Sequence, residues 1–147
     1  MARAQAGFTL IELLVVLVVI GLATTAVALT LPDGDAGFHR EVDSFGLRLG
    51  HARDEAILGG RAMQVVIDAR GYSFSRRDFG HWRALVDAPF GVRRWDDGMR
   101  VVLPGRQDRL HLRFDATGTA EPQRVLLVRG EQQAEVTVDA AGTVRVQ

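Results

Sequence analysis

Gly7-Phe8-Thr9-Leu10-Ile11-Glu12-Leu13-Leu14 opens a run of apolar sequence that continues to Leu31. The leader before it carries one charged side chain, Arg3, and ends at Gly7. A single carboxylate, Glu12, stands early in the run, and no charged residue follows from Leu13 to Leu31. As a helix rising about 1.5 Å per residue, Phe8 to Leu31 reaches roughly 36 Å, enough for a hydrocarbon core of about 30 Å. The flank before it holds Arg3 and the chain amine and no acid. By the positive-inside rule that end stays in the cytoplasm and the C-terminal part is exported.

Three readings compete for this stretch. A cleaved secretory signal would use Arg3 as its basic region and Ala26-Val27-Ala28 as a small-x-small cleavage site. A plain single-span anchor would use the apolar run alone. Neither gains from Glu12. A carboxylate at membrane depth costs a few kcal/mol, and intramembrane acids usually have a partner; near the interface it could simply snorkel.

The third reading is a resemblance. Gly7-Phe8-Thr9-Leu10-Ile11-Glu12 resembles, residue for residue, the processing signature of type IV pilins and pseudopilins. The resemblance implies that a prepilin peptidase cuts between Gly7 and Phe8 and methylates the new terminus at Phe8. It further implies that Glu12 pairs with the terminal amine of a neighbouring subunit. The cut falls before the apolar run, so the helix is kept.

Beyond the run, Leu31-Pro32-Asp33-Gly34-Asp35-Ala36-Gly37 interrupts the helical pattern. Pro32 disfavours the α conformation at Leu31, and Asp and Gly are turn residues. A break or kink over 32–37 is expected. Phe38, Val42, Phe45, Leu49, Ala52 and Ala56 then recur at spacings of four and three, one apolar stripe of an amphipathic helix. Gly59-Gly60 suits its C-cap. Gly46 and Gly50 lie one turn apart and could admit another helix or merely weaken this one.

From Ala62 the period shortens to two. Strands are expected at Met63–Ile67, Tyr72–Ser75, Trp82–Leu85, Met99–Leu103, Leu110–Phe114, Val125–Val128, Val136–Val138 and Val144–Val146. Asp68-Ala69-Arg70-Gly71, Asp115-Ala116-Thr117-Gly118 and Asp139-Ala140-Ala141-Gly142 repeat the form Asp-Ala-x-Gly. Each reads as a hairpin turn closed by a residue of positive φ. The stretch Arg76 to Asp97 has the least pattern and reads as a long connection.

The expected fold class is therefore α+β, a long N-terminal helix packed against antiparallel sheet. Its parts are a leader over 1–7, a transmembrane helix over 8–31, an exported continuation of the helix over 32–60 and a sheet domain over 61–147. With 147 residues, subtracting the apolar run leaves roughly 115, the size of one domain. All eighteen basic side chains are Arg, eighteen acids balance them, and no Cys is present. The chain then has neither disulfides nor thiolate metal sites.

No hydrolase elbow, zinc-protease helix or dinucleotide fingerprint occurs, so no catalytic residue and no cofactor is assigned. His39, His51, His81 and His111 are dispersed, and Asp96-Asp97-Gly98 falls short of a calcium site, so no metal is expected. Arg76-Arg77 and Arg93-Arg94, with Phe79, Trp82 and Trp95, could form a basic-aromatic patch for single-stranded nucleic acid. The interleaved Asp78, Asp87, Asp96 and Asp97 argue against nucleic acid as a partner.

Further residues narrow the resemblance. Ala52-Arg53-Asp54-Glu55-Ala56-Ile57, Val65-Val66-Ile67 and Gly71-Tyr72-Ser73-Phe74 are similar to the H-type minor pseudopilins of the general secretion pathway. So are Phe114 to Gly118, Val125-Leu126-Leu127-Val128 and Val138-Asp139-Ala140-Ala141-Gly142. The early break at Pro32 and Glu121-Pro122-Gln123-Arg124 depart from that pattern. This resemblance implies a non-enzymatic, single-pass subunit of the bacterial inner membrane with a periplasmic domain. Its partners would be other minor and major pseudopilins, the prepilin peptidase and the secretion machinery. The subunit would sit near the tip of a filament that helps export folded proteins across the outer membrane. The alternative is a T- or U-type minor pilin of a type IV pilus, used in pilus assembly or DNA uptake. Those often carry a Cys pair that is absent here.

Overall fold

The structure is a computed structural model describing residues 10–30, 34–105 and 107–147, without the side chains of 23–30 and 34–35. The chain divides into two units, Met1–Asp33 and Gly34–Gln147. In the first unit, α1 spans Leu10–Thr30, 21 residues and so about 32 Å of helix. Its described apolar side chains are exposed on every side, from Val16 at 46 % to Leu10 at 83 %. A helix apolar all round finds no core inside its own unit and suits lipid or a bundle of other helices.

In the second unit, α2 spans Gly34–Gly59. All six residues of the expected stripe are at most 1 % exposed. The helix ends in a Schellman motif. Gly60, at φ 59°, donates to the Ile57 carbonyl, and the Arg61 amide reaches the Ala56 carbonyl at 3.1 Å. Its start corrects the sequence reading. Gly34 to Gly37, expected in a break, are already helical. Short polar residues and Gly favour a helix's first turn for the same reason that they favour turns. Residues 31–33, which hold Pro32, lie outside the described residues.

Among the described residues nine strands follow: β1 Met63–Asp68, β2 Gly71–Asp78, β3 His81–Ala84, β4 Arg93–Arg94, β5 Met99–Val102, β6 Arg109–Phe114, β7 Gln123–Arg129, β8 Gln132–Val138 and β9 Val144–Val146. They form two antiparallel sheets, one in the order β3-β2-β1-β6 with β4 also on β2, the other β5-β7-β8-β9. Strand β4, inside the expected connection, pairs Arg94 with Gly71 and Arg93 with Tyr72. A two-residue strand carries no readable period.

The core lies where α2 meets both sheets. Phe38, Phe45, Phe74 and Phe114 are fully buried, each stabilising the fold by about 1.5–3 kcal/mol relative to exposure. Phe45, Tyr72 and Trp95 stack with centroids 4.8 to 5.2 Å apart. The Trp95 indole N–H donates to the Asp68 carbonyl at 2.9 Å, so the buried ring keeps its hydrogen bond. Burial pushes the Tyr72 hydroxyl up to about 12.

The three Asp-Ala-x-Gly turns are present, each between antiparallel segments. Asp68–Gly71 joins β1 to β2 and Asp139–Gly142 joins β8 to β9. Asp115–Gly118 closes a shorter hairpin, in which Phe114 pairs with Ala120 and the Asp115 amide donates to the Thr119 carbonyl at 2.9 Å, before the chain passes to the second sheet. Gly118 and Gly142 take the expected positive φ, 82° and 74°. Gly71 instead is near-extended at 159°. It is glycine because a Cβ there would run into the Arg93 backbone of β4. The turns at Gly118 and Gly142 also meet: a Cβ on Gly142 would strike the Gly118 carbonyl, and the Ala120 amide donates to the Ala140 carbonyl at 3.3 Å. The repeated motif thus closes the seam between the sheets, under Arg53 and Ile57 of α2.

Candidate assembly elements

Gly7 and Phe8, the expected cleavage and methylation site, lie outside the described residues. Glu12 is exposed in the first turn of α1, where the helix dipole favours a carboxylate. Its neighbours Leu10, Ile11, Leu13 and Leu14 are more than half exposed. Among the described residues, no helix is long and apolar enough to cross a membrane. The described side chains of α1 stop at Leu22, whereas the uncharged sequence continues to Leu31.

The glycine face of α2 splits in two. Gly46 is taken from within: a Cβ there would come 2.8 Å from Cγ2 of Val146 on β9. Gly50 opens on space, with nothing within 4 Å of its Cβ position. Beside it, a groove of about 690 Å3 runs between α2 and β9, with exposed Leu47 on its wall. Close approach at Gly46 is thus a strand of the same chain, and Gly50 alone remains open to a neighbour.

The basic-aromatic patch, against which the interleaved acids argued, comes apart. Arg76 turns to the helix side, where its guanidinium meets Asp78 at 3.2 Å and Glu55 at 3.6 Å. The hydrogen bond from Arg76 first, and then that from Arg61, hold the Asp78 carboxyl below its ordinary range. Trp95 is core, and Arg93 and Arg94 sit on β4 at the other end of β2. Adjacent strand residues face opposite sides, so an Arg-Arg pair cannot present both side chains to one ligand. Arg77 and Trp82 do stay together, as direct cross-strand partners. Arg113 of β6 joins them: its Cζ lies 5.7 Å from the Trp82 ring centre, against 6.0 Å for Arg77. Sequence reading missed Arg113. Alternation over Leu110–Phe114 points it outward, but only strand order brings β6 beside β1 and within reach of β3.

All four histidines are exposed. Among the described residues no three His, Asp or Glu gather as a metal set. Asp96 meets the Arg129 guanidinium at 3.5 Å, and its carbonyl caps the turn to β5 through the Met99 amide at 3.0 Å.

A long helical spine over two small antiparallel sheets, behind an apolar N-terminal helix with an early Glu, is the plan of a pilin-like protein. Solved structures share the fold over about three quarters of the chain. The minor pseudopilin EpsH from the type 2 secretion system of Vibrio cholerae superposes with a TM-score of 0.65 at 22 % identity, over 75 % of this chain and 95 % of that one. The Pseudomonas aeruginosa type IV minor pilin FimU follows at 0.58 and 17 %, over 75 % and 87 %. The family is settled by sequence. Residues 2–28 match the prokaryotic N-terminal methylation motif, and residues 41–142 match the family of the type II transport protein GspH. The type II secretion system protein H of Pseudomonas aeruginosa is 32 % identical over 141 residues, covering 88 % of this chain and 79 % of that protein. That of Aeromonas hydrophila is 33 % identical over 104 residues, 67 % of this chain and 57 % of its own length. The chain belongs to the GspH family of type II secretion pseudopilins.

Proposed function

We propose that this chain is a minor pseudopilin, matured between Gly7 and Phe8, methylated at Phe8 and built into a type II secretion pseudopilus near its tip. The observation that carries the reading is one of order: the methylation motif over 2–28 is followed in the same chain by the GspH match over 41–142. In this reading Phe8 to Leu31 spans the inner membrane, with the N-terminus cytoplasmic and the second unit periplasmic. The exposed apolar surface of α1 is what a bilayer, and later a bundle of neighbouring helices, would cover. Glu12 sets register by pairing with a neighbour's terminal amine, the partner that makes an acid at that depth tolerable. The role is structural: the sheet unit chooses its neighbours among the other pseudopilins, and the prepilin peptidase is the processing enzyme.

Mass spectrometry of the mature N-terminus tests the first step. The expected terminus is methylated Phe8. A terminus at Leu29 would mean a secreted soluble protein, and one at Met1 or Ala2 a plain anchor. Glu12→Ala is expected to leave membrane insertion and cleavage intact and to impair assembly, read by exoprotein release; full release would remove the pairing role. Deletion should stop release of exported proteins and spare twitching. The reverse outcome would favour the type IV minor pilin reading, which the likeness to FimU keeps in play.

A further inference from the structure

The outer face of the first sheet carries a second, more specific feature. Arg113 reaches across β1 and β2 to the Trp82 ring. It is held there by Gln64, whose Oε1 accepts from the Arg113 Nε at 2.9 Å. Gln64 is 7 % exposed and is the single polar side chain in the buried set among the described residues. A buried amide is costly unless it is hydrogen-bonded, so the pair fixes both members. With Nε committed, the two terminal nitrogens of Arg113 remain to face outward. Arg77 lies against the same ring from β2. Among the described residues neither Arg77 nor Arg113 has a carboxylate partner within ion-pair distance, whereas Arg61, Arg76, Arg109, Arg124, Arg129 and Arg145 each have one. Between them Ala62 leaves a hollow of about 520 Å3, walled by Trp82 and Phe114.

We propose that this hollow takes a carboxylate side chain from a neighbouring protein subunit, clamped by Arg113 and Arg77 over the Trp82 ring. The inference rests on the pseudopilus reading for the identity of the neighbours. A guanidinium with its fork pre-set binds a carboxylate in two parallel hydrogen bonds. Trp and Arg together are the residues that most often dominate the energy of a protein interface. A nucleic acid fits less well. Asp115 and Glu121 stand on the rim of the hollow, so two cations are matched by two acids and the local field collects no polyanion. The Asp115 carboxylate already accepts from Thr117 and Thr119, which anchors that negative charge at the rim.

The test titrates the purified full chain in detergent with each of the other pseudopilins of its secretion system in turn. Trp82 emission is followed, and a Trp82→Phe variant supplies the Trp95 background. One pseudopilin is expected to change Trp82 emission, with a Kd that weakens about tenfold in Arg113→Gln or Arg77→Gln and rises steeply between about 50 and 500 mM salt. Gln64→Leu, which frees the Arg113 fork, should weaken binding by a smaller factor. The melting temperature of Arg77→Gln should match the unsubstituted chain, because that side chain is exposed, whereas Arg113→Gln, which takes the donor from buried Gln64, should melt somewhat lower, so both are compared well below their transitions. Combining Arg113→Glu with an Asp→Arg or Glu→Arg change on the partner should restore binding. Equal Kd in the Arg77→Gln, Arg113→Gln double variant would overturn the proposal, as would no Trp82 response to any pseudopilin. An arginine-dependent response to a twelve-nucleotide oligo-dT in place of every pseudopilin would also overturn it. A chain that binds pseudopilins without Trp82 would leave the secretion role standing; normal exoprotein release on deletion would sink that role instead.

Discussion

The two helices of this chain are of similar length and treat apolar residues in opposite ways. Along α1 the described Leu, Ile and Val side chains from Leu10 to Leu22 are all exposed. Along α2 the large apolar residues are sorted: Phe38, Val42, Phe45 and Leu49 are buried, and Leu47 and Leu58 are left outside. The difference is one of medium. Helix α2 folds in water against a sheet and needs a single stripe, with charge elsewhere. Helix α1 has no polar side to give to water, so its surface has to be satisfied by something outside its own unit. In the proposed reading, the stability of the second unit and the assembly of the subunit are therefore written on different helices.

The comparison breaks most sharply by truncating one residue on each. Phe45→Ala removes a fully buried ring that touches Tyr72 and Trp95, and a loss of about 3–5 kcal/mol is expected in denaturant unfolding. Leu17→Ala, on α1, should leave that unfolding transition within about 0.5 kcal/mol and show itself in exoprotein release. Equal effects on stability would mean that α1 belongs to the same folding unit.

Within α2 the two glycines sharpen the point. Gly50→Ala places a methyl in open space, and improved helix propensity should raise stability by about 0.5–1 kcal/mol. Gly46→Ala forces Val146 to move from a 2.8 Å approach, and a loss of about 1 kcal/mol is expected. Thermal melting of the two variants checks the opposite signs.

The smallest expected effect is a pH dependence confined to the second unit. Hydrogen bonds from Thr117 and Thr119 hold the Asp115 carboxyl down to about 2, from an ordinary 3.8. The unfolded chain therefore takes up this proton first as pH falls. The stabilisation is present in full above about pH 4 and is lost as pH drops through about 2. Asp139, in the matching turn, shifts in the same direction, chiefly through the Thr143 amide. Asp115→Asn should flatten the acid limb of a stability–pH profile by lowering its neutral plateau, the two profiles converging as pH falls towards about 2.

Much of this was legible beforehand, and the reasons are particular. The α2 stripe was read to the residue because a 3.6 period over more than five turns has little competition from chance. The Schellman stop at Gly60 followed from glycine's freedom at positive φ. Eight of the nine strands were located; the ninth, Arg93–Arg94, has no length over which alternation can act. The start of α2 at Gly34 was misplaced because Asp and Gly serve turns and helix beginnings alike. The Arg76-Arg77 and Arg93-Arg94 pairs form no single patch, as the interleaved acids suggested, and the further reason is that closeness in sequence is separation across a sheet.

The sequence alone determined the class: the order Gly-Phe-Thr-Leu-Ile-Glu, the uncharged run behind it, the apolar stripe and the change of period each follow from local chemistry along the chain. Tertiary structure alone decided after which turn the chain passes between sheets, and that β9 rather than a neighbour fills Gly46. It also decided that Arg113, thirty-one residues beyond Trp82 in the chain, shares its ring. The physical reason is that strand order and the approach of one backbone to another are set by which surfaces bury best together, over sequence separations that no local pattern reports.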